Sequence, residues 1–180
     1  MKSNKIRILI ADDHALMRVG IRSMLESQSG FSVVGECCDG ESAARISVEL
    51  NPDVVIMDLM MPKMNGAEAT EKILKSSPGV KVIVLSSFGT SPEMSKAIKA
   101  GAVGALLKES PSDELIKAIY AVMEGKTAIH REVSDSIEEW RASRNSRSGS
   151  STFSRPSPGA EPTRPSPTSS GYQSPESAST

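Results

Sequence analysis

The chain has 180 residues, of which 38% are hydrophobic and 3% aromatic. The composition is uneven, because residues 143–180 contain 13 Ser, 6 Pro and 4 Thr but no Val, Ile, Leu or Met. Such a segment buries too little apolar surface to offset the entropy lost on ordering. We therefore predict a disordered Ser/Pro-rich tail over residues 143–180, preceded by about 140 residues that suit one hydrophobic core.

Charge and cysteine content exclude several classes of protein. The net charge is −1, and residues 1–142 alone carry 17 basic and 20 acidic side chains, so no basic footprint for nucleic acid is present there. No apolar run approaches the roughly 18 residues that span a membrane. The adjacent Cys37 and Cys38 are typical of a reduced compartment. We expect a soluble cytoplasmic protein without membrane contact.

Short apolar runs alternate along the chain with segments of helical periodicity. Continuous Val- and Ile-rich runs are typical of parallel strands that are covered on both faces. Strands are predicted at residues 8–11, 32–37, 54–57, 80–85 and 103–107, with the second and fifth at the sheet edges. Helices are predicted at residues 15–28, 41–50, 67–75, 92–100 and 111–124. This alternation predicts an α/β fold, a doubly wound five-stranded parallel sheet with helices on both faces.

Residues that are typical of helix ends support the predicted helix boundaries. Pro92 and Pro111 are placed at first helical positions, and Gly101 and Gly125 suit left-handed helix ends. After the last predicted helix, residues 126–142 are predicted to form a linker helix, centred on the amphipathic segment 132–141.

Polar residues follow four of the predicted strands. They are Asp12, Asp13, Asp58, Ser86 and Lys108. Because the carboxyl ends of parallel strands share one edge of the sheet, these side chains are expected to converge. Three close carboxylates repel one another unless a cation neutralises them, and hard oxygen ligands suit Mg²⁺. The pattern predicts a Mg²⁺ site at which a phosphoryl group is transferred to an aspartate.

Residues 4–125 resemble a receiver domain of a bacterial two-component response regulator. The motifs that carry this resemblance are IADDH at residues 10–14, MDLMMPKMNG at 57–66, VLSS at 84–87 and GAVGALLK at 101–108. The Asp-His start and the Leu-Leu-Lys ending resemble the NarL-type (LuxR-type) subfamily. The resemblance implies a flavodoxin-like sheet with strand order 2-1-3-4-5.

The resemblance also implies roles for individual residues. Asp58 would accept a phosphoryl group from a histidine kinase, and Asp13 and Asp58 would bind Mg²⁺ directly. Asp12 would bind the ion through water, and the backbone carbonyl of Met60 would complete the protein ligands. Ser86 and Lys108 would bind the phosphoryl group, with Ser86 as the switch hydroxyl. His14 would begin the first helix as a surface or capping residue.

Ala105 departs from the family, in which an aromatic ring usually stands at this position and moves inward on phosphorylation. An alanine side chain cannot make this movement. The hypothesis is therefore a weakened or backbone-led switch.

A second departure lies in the C-terminal part. NarL-type regulators continue into a helix-turn-helix output domain, but nothing after Arg141 has helical periodicity or a Leu/Ile/Val framework. We expect no specific DNA binding by this chain. The tail is interpreted either as a genuine flexible extension or as out-of-frame translation that replaced the output domain, and the second interpretation is preferred.

The predicted function is a phosphoacceptor module of a two-component system, with Mg²⁺ as cofactor. Its output would be protein–protein contact, including a possible homodimer, rather than catalysis on a separate substrate. Two alternatives remain: a receiver-like binding module that is never phosphorylated, and a Mg²⁺-dependent aspartyl phosphohydrolase. The second lacks the usual carboxylate two residues after the nucleophile, where this chain has Met60.

Overall fold

The computed structural model describes residues 5–87 and 92–129, in which helices and strands alternate. The strands are β1 Ile6–Ala11, β2 Phe31–Cys37, β3 Val54–Asp58, β4 Lys81–Ser86, β5 Gly104–Leu107 and β6 Ala128–Ile129. The helices are α1 Ala15–Glu26, α2 Gly40–Leu50, α3 Gly66–Ser76, α4 Pro92–Ala100 and α5 Ser112–Met123. The five predicted helices and five predicted strands are therefore present, with boundaries shifted by a few residues.

The sheet separates two hydrophobic clusters, because successive side chains of a strand point to opposite faces. Leu9 and Val55 belong to one cluster, which also contains buried residues of α2, α3 and α4. Ile8 and Ile56 belong to the other, with buried residues of α1 and α5. All five residues of β3 are buried. The continuous hydrophobicity of this central strand follows from its being covered on both faces.

All strand pairs in the described residues are parallel, and the strand order is 2-1-3-4-5-6. The predicted order 2-1-3-4-5 is correct, but the prediction of five strands is wrong. Residues 128–129 form β6, which pairs with β5 through Gly104↔Ala128 and Ala105↔Ile129. Consequently β5 is an interior strand, and the prediction that it lies at the edge of the sheet is wrong.

The sixth strand lies near the start of residues 126–142, the predicted linker helix, so residues 128–129 are extended rather than helical. After α5 the chain turns at Gly125, whose φ is +81°. It then returns to the sheet, where the Ala128 N–H donates to the Val103 carbonyl at 2.9 Å. Pairing satisfies backbone groups that would otherwise remain open along β5. A two-residue strand has no periodicity that sequence inspection could recognise.

The observed helix ends agree in part with the positions predicted from proline and glycine. Gly101 has a φ of +112°, as expected for a helix end. Pro111 is the N-cap of α5 rather than its first residue. The predicted helix at 132–141 and the predicted tail at 143–180 lie outside the described residues. Within residues 5–87 and 92–129, no helix has both the length and the apolar character needed to cross a bilayer.

Candidate phosphoacceptor site

The carboxyl ends of four strands bring the predicted polar residues to one edge of the sheet. Asp12 directly follows β1, Asp58 and Ser86 end β3 and β4, and Lys108 directly follows β5. Strand pairing fixes this alignment, and the Lys108 N–H donates to the Ser86 carbonyl at 2.8 Å. Residues that are far apart in the chain therefore share one site.

The Lys108 ammonium lies between two buried carboxylates. Its Nζ is 2.8 Å from Asp58 Oδ2 and 2.9 Å from Asp12 Oδ2. The Lys108 side chain is 8% exposed, and those of Asp12 and Asp58 are 1% and 3% exposed. With so little water present, the cation compensates much of the repulsion between the two acids.

The pKa values of the site respond to burial and to this ion pair. Burial raises the pKa of Asp58, and the hydrogen bond from Lys108 offsets only part of that effect. Burial also lowers the pKa of Lys108, but its hydrogen bonds to Asp58 and Asp12 outweigh the burial and leave the pKa raised. Lys108 is therefore positively charged near neutral pH. Burial, in contrast, disfavours the charged form of the Asp58 carboxylate.

The loop between β3 and α3 folds closely over the end of β3. The Met60 N–H donates to Asp58 Oδ1 at 3.2 Å, while the Met60 side chain is exposed. A Cβ at Gly66 would lie 2.1 Å from the Asp58 carbonyl oxygen, so this close approach requires glycine. Asn65 caps α3 by accepting the Glu68 N–H at 2.9 Å. The loop backbone is thus held beside the Asp58 carboxylate.

His14, predicted to begin the first helix as a surface or capping residue, brings an imidazole to the site. It is the N-cap of α1, but its side chain makes no capping hydrogen bond. Instead, its Nδ1 lies 2.7 Å from Asp13 Oδ1 and 3.3 Å from Asp12 Oδ1. Asp12 Oδ1 also accepts the His14 backbone N–H at 2.8 Å. The adjacency of His14 to Asp13 was the available sequence signal.

Ser86, the predicted switch hydroxyl, and Ala105, at the place of the usual aromatic ring, lie on the neighbouring strands β4 and β5. Ser86 is buried, whereas the next residue, Ser87, is exposed. Ala105 is fully buried and pairs with Ile129 across β5 and β6. The small side chain at residue 105 is therefore enclosed by the sheet and its neighbours.

An ion pair that the sequence did not predict joins two loops at this edge. Lys63 Nζ lies 3.0 Å from Asp39 Oδ2, and Lys63 has a φ of +65°. The Ser42 backbone N–H and the Lys63 ammonium together lower the pKa of Asp39 to about 2. An Asp before a helix is a signal for capping, but nothing in the local sequence indicates the Lys63 partner.

Four side chains could hold a metal ion together. Asp12, Asp13, His14 and Asp58 each offer a ligand atom, and these atoms lie within 4.8 Å of one another. Asp12 Oδ2 is buried and pairs with Lys108 Nζ at 2.9 Å. This set of carboxylate donors fits a hard divalent cation such as Mg²⁺.

The parallel sheet and its edge of acids and lysine are typical of the receiver domains of two-component signalling. Residues 8–120 match the response regulator receiver domain family. The chain belongs to this family, whose members take part in two-component signal transduction and bind Mg²⁺ at an acidic pocket.

Curated relatives are bacterial regulators. The chain is 42% identical over 142 residues to the transcriptional regulatory protein DegU of Brevibacillus brevis, covering 78% of this chain and 60% of that protein. It is 40% identical to LiaR of Bacillus subtilis, covering 73% of this chain and 63% of LiaR. The chain thus spans about 60% of the length of these relatives.

Solved structures show the same fold. A LuxR-family response regulator from Aurantimonas matches with a TM-score of 0.71 and 34% identity, covering 77% of this chain and 99% of that one. The isolated receiver domain of RcsB from Salmonella enterica, solved with a beryllofluoride phosphomimetic, matches with a TM-score of 0.67 and 30% identity over 74% and 99% of the two chains. The flavodoxin-like receiver fold is therefore shown.

Proposed function

We propose that Asp58 is the phosphoacceptor of this response regulator and that a histidine kinase is the donor. The observation that carries this assignment is the Lys108 ammonium between the buried carboxylates of Asp58 and Asp12. In the proposed step, an Asp58 carboxylate oxygen attacks the phosphorus of a phosphohistidine. The P–N bond breaks, its electron pair returns to the imidazole, and an acyl phosphate forms on Asp58.

Lys108 and Ser86 are proposed to stabilise the phosphorylated state. Lys108 already contacts the acceptor, so its ammonium can pair with a phosphoryl oxygen without moving far. Ser86 lies at the end of the adjacent strand, where its hydroxyl can donate to the same group. These two donors would favour the added negative charge over the unmodified carboxylate.

We assign the metal ligands from the same edge of the sheet. Asp13 and Asp58 would bind Mg²⁺ directly, Asp12 would act through water, and Met60 would offer its backbone carbonyl. The support is the clustered carboxylates and the Met60 backbone that borders Asp58. When bound, the ion would neutralise charge on the transferring phosphoryl group.

The kinase contact is proposed at a groove beside the acceptor. This groove has a volume of about 620 Å³ and lies between α1 and α5, lined in part by Met17, Ile21, Leu106 and Leu115. Leu16 on its rim is 85% exposed. An apolar surface next to His14 and Lys108 suits an amphipathic helix that carries the phosphohistidine. A homodimer remains a second proposed partner.

We propose residues 4–125 as the receiver unit, with self-phosphorylation and slow dephosphorylation as its only chemistry. The exposed Met60 side chain offers no acid or base two residues after Asp58. This argues against an aspartyl phosphohydrolase. A receiver-like module that is never phosphorylated is the remaining alternative, and the complete acidic set argues against it.

The test is incubation of the full chain with acetyl phosphate and Mg²⁺, followed by intact mass spectrometry. We expect one phosphoryl adduct that hydroxylamine removes, and its loss in Asp58→Asn. Asp113→Asn is the matched control, since the Asp113 carboxylate is 63% exposed and pairs with Lys117 on α5. No adduct on the wild-type chain would instead favour the unphosphorylated module.

A further inference from the structure

The loop between β3 and α3 contains a backbone turn that is unusual for a lysine. Lys63 has a φ of +65°, a region that residues other than glycine adopt infrequently. The Met64 N–H donates to the Pro62 carbonyl at 2.8 Å, so a three-residue turn closes around Lys63. A γ-turn with a positive φ at its centre is strained, and strained backbone persists where the surrounding structure holds it in place.

The Lys63 side chain supplies one of the contacts that hold this turn. Its Nζ lies 3.0 Å from Asp39 Oδ2, which also accepts the Ser42 hydroxyl at 2.9 Å. The other carboxylate oxygen of Asp39 accepts the Ser42 backbone N–H at 2.8 Å and caps α2. The Asp39 side chain is 5% exposed, so its position is fixed by the end of α2. The ion pair, called the Asp39–Lys63 latch below, therefore ties the loop to that helix.

The loop is also held at its base and along its inner side. The Gly66 N–H donates to the Leu59 carbonyl at 2.9 Å, which closes the base of the loop. Met61 is buried, and Met64 packs against the same hydrophobic cluster. A Cβ at Gly40 would lie 2.2 Å from the Met64 carbonyl oxygen, so the start of α2 contacts the loop backbone directly. The latch thus acts on a loop that has little freedom elsewhere.

The same loop sets the surroundings of the Asp58 carboxylate. The Met60 N–H donates to Asp58 Oδ1 at 3.2 Å, and only two residues separate Met60 from Lys63. Because the base of the loop is closed, a shift of the turn at Lys63 is transmitted to the Met60 backbone. Displacing a reacting group by about 1 Å can slow a reaction about a hundredfold.

We propose that Asp39 and Lys63 are positioning residues for phosphoryl transfer to Asp58. Their ion pair holds the strained turn, and the turn holds the Met60 N–H that orients the Asp58 carboxylate. This inference rests on the proposed function, in which Asp58 is the acceptor. The Ser42 N–H and the Lys63 ammonium lower the pKa of Asp39 to about 2, so the carboxylate of the latch is ionised at neutral pH.

The experiment measures the rate at which the full chain is phosphorylated by acetyl phosphate with Mg²⁺. In Lys63→Met the maximal rate is expected to fall about tenfold, with the half-saturating acetyl phosphate concentration unchanged. Asp39→Asn keeps a capping oxygen but removes the ion pair, and the same loss is expected. The double variant should be no slower than either single variant, because both remove one contact. Lys63→Arg preserves the charge and should retain most of the rate.

The two single variants distinguish positioning from attraction of the anionic donor. If the Lys63 charge acted on acetyl phosphate, Lys63→Met would raise the half-saturating concentration and Asp39→Asn would cause no loss, and this result would overturn the proposal. Lys63→Gly should lose less than Lys63→Met, because glycine adopts a positive φ without strain. Lys75→Met is the control, since Lys75 on α3 is 73% exposed and pairs with Glu71. This control should match the wild-type rate.

Amide hydrogen exchange gives a second measurement that needs no phosphoryl donor. In Lys63→Met and Asp39→Asn, the Met60 and Met64 amides should exchange faster than in the wild-type chain, whereas amides of β3 should keep their protection. Unchanged exchange at Met60 and Met64 in both variants would overturn the proposal. If the wild-type chain formed no adduct, the proposed function would fail, and exchange would still decide whether the latch holds the loop.

Discussion

Lys108 Nζ and Asp58 Oδ2 are 2.8 Å apart, although 50 positions separate the two residues in the chain. Lys108 is the cation that both Asp58 and Asp12 contact in the buried site. Its removal leaves two carboxylates without compensation in a region of low water content. The consequences can be measured as stability even without a phosphoryl donor.

Lys108→Met is expected to lower the free energy of unfolding at pH 7 by about 3 kcal/mol, because the substitution leaves buried charges unpaired. Urea denaturation provides the measurement. Lys117→Met is the control, since the Lys117 side chain is 75% exposed and pairs with an exposed Asp113. The control should leave stability nearly unchanged, because an exposed ion pair is well screened by water. Equal losses in the two variants would contradict the role given to Lys108.

Asp58→Asn should be more stable than the wild-type chain at pH 7. Burial raises the pKa of folded Asp58 above its ordinary 3.8, so the native state binds the proton more tightly than the unfolded chain. Wild-type stability therefore falls as pH rises from about 4 through the raised pKa, and the penalty remains above it. The advantage of Asp58→Asn should shrink toward pH 4 in urea titrations. An advantage that grows on acidification would refute this sign.

Asp39→Ala is expected to destabilise the fold by about 1–2 kcal/mol, because it removes the cap of α2 together with the Lys63 contact. Asp39→Asn is the matched variant, which keeps a capping oxygen but loses the charge. Since the pKa of Asp39 is lowered to about 2, its contribution is complete above pH 3.8 and disappears as pH falls through 2. Thermal melts from pH 2 to 7 check this dependence, and a pH-independent difference between wild type and Asp39→Asn would contradict it.

Gly66→Ala should disturb the acceptor strand, because its Cβ would lie 2.1 Å from the backbone oxygen of Asp58. We expect a loss of about 2 kcal/mol or more, together with slower phosphorylation by acetyl phosphate. Gly20→Ala is the contrasting variant in α1, where nothing lies within 4 Å of the added Cβ. That change should stabilise the helix by about 0.5–1 kcal/mol. A neutral Gly66→Ala would show that the loop can move away from Asp58.

Ala105 is expected to limit the structural response to phosphorylation. With beryllofluoride and Mg²⁺, backbone amide shifts should change strongly near Asp58 and Lys108 but weakly across residues 88–106. The reason is that the buried methyl group of Ala105 has no second position to occupy. Nuclear magnetic resonance spectra with and without the mimic provide the comparison. Large changes throughout residues 88–106 would show that the switch does not depend on a ring at this position.

The parallel α/β architecture was predictable because its signals are local. Val- and Ile-rich runs such as residues 54–57 mark strands covered on both faces, and intervening helical periodicity requires crossovers between parallel strands. Alignment of strand ends then follows from topology, so the proximity of Asp12, Asp58 and Lys108 could be expected before any distance was known. The family motifs at residues 10–14 and 57–66 added the proposed roles.

Other features depended on contacts between distant segments. The strand at residues 128–129 exists because β5 offers unpaired backbone groups, and two residues alone carry no such preference. Lys63 adopts a positive φ and reaches Asp39, 24 residues away, which no local pattern encodes.

The amino-acid sequence by itself determined the order of the elements and the identity of the acids at the strand ends, because hydrophobic periodicity and strand polarity are properties of short segments. Only the tertiary structure decided the number of strands, the burial that raises the pKa of Asp58, and the imidazole of His14 beside Asp13. These features arise from packing between segments, where desolvation and side-chain direction depend on neighbours that the local sequence does not specify.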